Sequence, residues 1–167
     1  TNTRAEVDYR ENVIRLQDAI SDEITSGRGE CAVETKNIEW EHVFTPIYER
    51  FGCALYSRIM HIDKGVIAVG KISKEPFMNI IVSGKMKCPT EDGVKIFEGP
   101  SVFVSPTGNK RCGIALEDTI WITVHPTEHT DDSDLELIES KIATEDFSEL
   151  GLVATLSELA QISEEKD

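Results

Sequence analysis

The sequence predicts a mostly β protein, a sandwich or barrel with one helix before it and an acidic, partly helical extension after it. Three observations carry this. From about residue 42 to 125, Val, Ile, Phe and Thr fill short runs that Gly, Pro, Asn and Asp separate. Residues 5–25 repeat apolar side chains at helical steps. After Pro126 the β-rich runs stop and acidic residues take over. Many short strands with few helices between them exclude a parallel α/β sheet.

In the helix, Tyr9, Val13, Leu16, Ile20 and Ile24 follow steps of 4, 3, 4 and 4, one face of a helix. Ser26, Gly27, Arg28 and Gly29 end it. Such a stripe packs on its own barrel or on a partner. The expected strands are 53–62, 65–72, 77–89, 93–98, 101–105 and 111–125, the last broken near Leu116–Asp118. Glu91-Asp92-Gly93 marks a hairpin, because Asp-Gly suits a turn with positive φ. Asp131, Asp132, Ser133 and Asp134 precede Leu135, Leu137, Ile138 and Ile142, an N-cap cluster opening a short helix. A second helix is expected over 156–165. The divisions are therefore 1–41, helix and connector; 42–128, barrel; and 129–167, acidic extension.

The charge is uneven. The chain carries −14 in all, with +4 over residues 56–111 and −10 over residues 131–167. An acidic chain is no general nucleic-acid binder, which needs a basic field. No run of about 18 apolar residues exists, so no membrane partner is expected. The polar start of the chain gives a cytoplasmic expectation. Cys31, Cys53, Cys88 and Cys112 are widely spaced, which suits free thiols.

Two glycine-framed blocks give the fold a more specific form. In the first, Gly65 is followed by Lys71, Ser73, Phe77 and Gly84. In the second, Gly99 is followed by Pro106, Gly108, Arg111 and Ala115. These spacings resemble the two sequence blocks of the cupin superfamily, small jelly-roll barrels, over roughly residues 42–128. The second block is one residue longer between Gly99 and Pro106. In metal-binding cupins the side chains between these glycines are two histidines, a glutamate and a third histidine. Here Lys71, Ser73, Phe77 and Arg111 stand in those places. The resemblance thus implies a barrel without metal ligands and without a cofactor. It extends to the small cupin-like proteins of bacteriophages, which often lack these ligands. It also implies a homo-oligomer formed by sheet exchange, and a host-cytoplasmic or virion location with other phage or virion proteins as partners.

Other chemistry is thin. His42, His61, His125 and His129 are the only imidazoles. His125-Pro126-Thr127-Glu128-His129 matches a zinc-peptidase string only formally, because that string works on a helix and Pro126 follows a β-rich run. Cys112 lies beside Lys110 and Arg111, which would lower a thiol pKa, yet a half-buried structural cysteine fits the site better. If the block alignment holds, Lys71, Ser73 and Arg111 converge on the barrel mouth as an anion site, with Tyr56, Phe103 and Trp121 as a wall and His61 one strand away pointing inward. Arg suits a planar carboxylate or phosphate. The plainer expectation is that Lys71 and Arg111 pair with Glu75, Glu98 or the acidic tail. The functional expectation is a non-enzymatic binding or structural protein, phage accessory or virion-associated. The alternatives are a metal-free enzyme of the sugar-nucleotide epimerase or isomerase kind, using His61 with Tyr56, and a sensor or sponge for a small anionic ligand.

Overall fold

A computed structural model describes residues 3–145. The chain opens with α1 (Arg4–Thr25). Thr3 caps it and exchanges hydrogen bonds with Glu6, so two otherwise orphaned amides are satisfied. Ten strands come next: β1 (Ile38–Phe44), β2 (Ala54–Ile62), β3 (Ile67–Val69), β4 (Ile72–Ser73), β5 (Phe77–Ser83), β6 (Lys85–Thr90), β7 (Gly93–Glu98), β8 (Ser101–Ser105), β9 (Cys112–Ala115) and β10 (Thr119–Thr127). Then come α2 (Leu135–Ile142) and β11 (Ala143–Thr144).

The strands form two main antiparallel sheets. One has the order β1-β2-β10-β5-β8 and the other β3-β9-β6-β7. A small third pair joins β11 to β4. This is a jelly-roll type barrel with an N-terminal helix. Each strand alternates inward and outward side chains, so the register of the large sheet lays its inner face out in rows. One row runs Phe44, Tyr56, His125 and Ser105, with Phe77 beside Ser105. The next runs His42, Arg58, Thr123, Asn79 and Phe103. The third runs Trp40, Met60, Trp121, Ile81 and Ser101.

Two apolar clusters bound the interior. Ile38, Ile62, Ile81, Met86, Cys88, Ala115 and Trp121 fill one end. At the other, Ile138 and Ile142 of α2 close on Tyr56, with Phe44 and Leu135 against them. The segment after the barrel is therefore part of its core through α2 and β11. The helix expected over 156–165 lies outside the described residues.

The strand limits differ from the sequence reading in three places. Pairing begins at Ile38 instead of near residue 42, because Ile38, Trp40, His42 and Phe44 alternate onto one face. The run 77–89 is two strands in different sheets. Gly84 breaks it at φ +92, and a Cβ there would run into the backbone of Asp118 and Thr119. The run 65–72 pairs only at 67–69 and 72–73. The helix α1 rests on its own barrel through Val13, which is buried, and through Tyr9, whose hydroxyl donates to Lys110 O at 2.9 Å. Ile14 and Leu16 stay exposed.

Candidate functional site

Between the two apolar clusters lies a half-open cavity of about 830 Å³. Both sheets line it, and α1 and the connector after it form its rim. Its polar centre is built on β10, β5, β8 and the segment entering β9. Trp121 Nε1 donates to Asn79 Oδ1 at 3.0 Å. Asn79 Nδ2 donates to Ser105 Oγ at 2.9 Å. Arg111 Nη1 donates to the same Ser105 Oγ at 3.3 Å. The Arg111 guanidinium sits over three rings, 4.9 Å from the centroid of Phe97, 5.2 Å from Phe103 and 5.6 Å from Trp121. Cation–π attraction and the hydrogen bond to Ser105 hold its plane. Burial lowers its pKa, but a guanidinium starts so high that it stays charged.

A second guanidinium, Arg58 on β2, lies in the row of Thr123 and Asn79. Arg58 stacks on Trp40 at 4.9 Å and meets Glu139 of α2 at 3.3 Å. Its Nε is buried without a hydrogen-bond partner. Beside it, His125 Nε2 and Thr123 Oγ1 are 3.0 Å apart, and Phe77 stacks on the imidazole at 5.0 Å. Burial, with the Arg58 charge second, pushes the His125 pKa down to about 4, so this ring is neutral near pH 7. Burial pushes the Cys88 thiol up to about 11 and raises Cys112 too, against a smaller opposing pull from Lys110. Neither cysteine is an activated nucleophile.

The residues expected to form the site are dispersed. Arg111 faces the cavity. Ser73 reaches its edge, but its hydroxyl is spent on a turn, donating to Pro106 O at 2.9 Å and accepting from Asn109 N at 3.1 Å. Lys71 is exposed at the rim and points at α2, with Nζ 3.4 Å from Glu139 and 3.9 Å from Glu145. The acidic extension thus neutralises it. Tyr56 faces inward but packs under α2, and its hydroxyl is 2.6 Å from His42 Nδ1. His61 does not point inward. Its neighbours Met60 and Ile62 take the inner face, so period-2 alternation turns it out, where it meets Glu41 at 3.4 Å. Of the expected wall, Phe103 and Trp121 hold Arg111. Arg58, Asn79 and Thr123 did not stand out in the sequence, and His125 did so only in a formal zinc-peptidase string. The signal they carry is a polar side chain on the apolar beat of a strand: Arg58 between Tyr56 and Met60, and Thr123 and His125 after Trp121. Among the described residues, no cluster of three His, Cys, Asp or Glu side chains is arranged to hold a metal ion.

No protein-family model matches the chain, and no curated protein matches it. Solved structures similar to it include KdgF from Halomonas sp., 17% identical over 60% of this chain and 84% of that one, with a TM-score of 0.45. An RmlC-like cupin from Shewanella frigidimarina is 13% identical over 59% and 81%, TM-score 0.44. A cupin domain from Bordetella pertussis is 8% identical over 53% and 93%, TM-score 0.38. Two of these three are cupins. Likeness at this level carries nothing about chemistry, which is read from this chain's own side chains.

Proposed function

We propose that this protein binds a small anionic organic molecule inside the barrel and does not convert it. The observation that carries this reading is Arg111, a guanidinium inside an 830 Å³ cavity with no carboxylate ion-paired to it among the described residues. A half-buried cation without an ion pair is partly stripped of water, and a bound anion supplies the missing partner. Conversion in the manner of an epimerase or isomerase calls for an acid and a base poised near neutrality. His125, with its pKa near 4, and the raised thiols offer neither.

A thermal-shift panel of nucleotides, sugar phosphates, dicarboxylates and monocarboxylates tests the proposal on the wild type and on Arg111→Met. At least one anion is expected to stabilise the wild type and to leave Arg111→Met unmoved, and to be recovered intact by mass spectrometry. A panel without a hit, a shift that survives the substitution, or a converted ligand overturns it.

A second observation favours self-association. The outer face of the large sheet carries Val104, Met78, Val124, Ser57 and Val43 in one row and Val102, Ile80, Ile122, Ile59 and Glu41 in the next. Val102 and Val104 are 63% and 67% exposed. A chain of net charge −14 repels its own copies. The β8, β5 and β10 part of this face, away from Glu39, Glu41 and His61 on β1 and β2, is poor in charge and is where two copies can meet. The occupant we propose is a second copy, in keeping with an accessory or virion-associated role.

A further inference from the structure

The polar groups inside the cavity are largely committed to one another. Trp121, Asn79, Ser105 and one nitrogen of Arg111 form a chain of hydrogen bonds of 3.0, 2.9 and 3.3 Å. Thr123 and His125 hold each other. Arg58 keeps one unpartnered nitrogen, Nε, but its charge is met by Glu139. The outer edge of the Arg111 guanidinium is different. A guanidinium has five N–H donors, and among the described residues this one has a single acceptor, Ser105. The carboxylates on the cavity wall, Glu23 and Glu30, belong to α1 and the connector at the rim, and Glu23 is taken by Arg28 at 2.9 Å. The inner wall is apolar, made by Ile38, Met60, Ile62, Val66, Ala68 and Met86.

We infer that the cavity takes an apolar monocarboxylate, its carboxylate received by the free edge of Arg111 and its hydrocarbon or aryl body laid against Ile38, Met60 and Met86. The inference rests on the binding reading above and narrows it. The planar fork of an arginine matches a carboxylate with two parallel N–H···O bonds. One cation without an ion pair among the described residues asks for one negative charge, and a second charge on the ligand would be stripped of water against thioether and aliphatic carbon. A sugar or nucleotide body would lose its water hydrogen bonds in the same way against this apolar wall, because Trp121, Asn79, Thr123 and His125 are already hydrogen-bonded within the protein. Two methionines give the wall unbranched, adaptable surface that fits either an alkyl chain or a ring. The volume lies within the range of about 300–1,000 Å³ usual for small-ligand sites.

Calorimetric titration of the full chain with octanoate and 2-naphthoate tests this, against octanamide and 2-naphthamide as neutral isosteres, and against succinate and ATP as anions without an apolar body. The expected result is saturable binding of at least one carboxylate, binding of its amide at least tenfold weaker, and none of succinate or ATP. The alkyl and aryl arms separate the two kinds of body. Arg111→Met should weaken the carboxylate at least tenfold, and Lys71→Ala should leave it unchanged. The amide comparison needs no variant, so it stands even if Arg111→Met does not fold. An amide that binds as well as its carboxylate overturns the inference. Binding of succinate or ATP without either apolar acid overturns it while leaving the binding reading in place. No binding by any of them, together with an empty thermal-shift panel, overturns both.

Discussion

His125 and Arg111 show how burial sets the chemistry of single side chains in this barrel. The His125 ring is 4% exposed and its pKa falls to about 4 from an ordinary 6.5. Its folded pKa lies below its unfolded one, so between these values the unfolded chain binds the extra proton. The stability it contributes is complete above about pH 6.5 and is lost as pH falls toward 4. The shift corresponds to roughly 3 kcal/mol over that window. Urea denaturation from pH 7 to 4 should show this loss in the wild type and a shallower one in His125→Gln. Equal slopes would show that His125 is not the group responsible. At this scale the sequence was legible in part. Arg111 stood out because the glycine frame marks its position. Arg58 did not, and His125 was named only for a formal zinc-peptidase string, because only strand register says which alternate side chains enter a barrel, and His61 was misplaced by one beat for the same reason.

The helices differ in how much they contribute. In α2, Ile138 is 1% exposed and Ile142 7%, and both pack on Tyr56. In α1 the only buried apolar residue is Val13. Ile138→Ala should therefore cost about 3 kcal/mol. Removing residues 1–29 should cost about 2 kcal/mol, roughly one buried side chain. Chemical denaturation of the two variants decides the order, and a chain beginning at Glu30 that fails to fold would contradict it. The elements themselves were largely readable. The stripe from Tyr9 to Ile24 placed α1 to within a residue. Asp92-Gly93 placed the β6–β7 hairpin, with Thr90 paired to Gly93. The start of β1 was missed because Glu39 and Glu41 mask an alternation whose apolar members are spaced by two. The docking of α2 was not legible, since an acidic helix with four apolar residues reads equally well as a solvated one.

For the whole molecule, charge and apolar surface are sorted. The acidic segment after the barrel sends Glu139 and Glu145 to Lys71 and Glu139 also to Arg58, which leaves Arg111 as the cation of the cavity wall without an ion pair among the described residues. The outer face of the large sheet carries the exposed Val102 and Val104. Light scattering should find an oligomer for the wild type and a smaller species for Val102→Glu with Val104→Glu. A monomeric wild type would remove the self-association proposal. The central claim concerns the other side of that sheet, the Arg111 cavity. Its most direct test is the affinity of the best-stabilising anion for the wild type and for Arg111→Met, measured by calorimetry at one pH and salt concentration. A charged hydrogen bond contributes about 1.5–3 kcal/mol, so the account predicts a loss of roughly tenfold or more in affinity. Equal affinity for a folded Arg111→Met chain would contradict it.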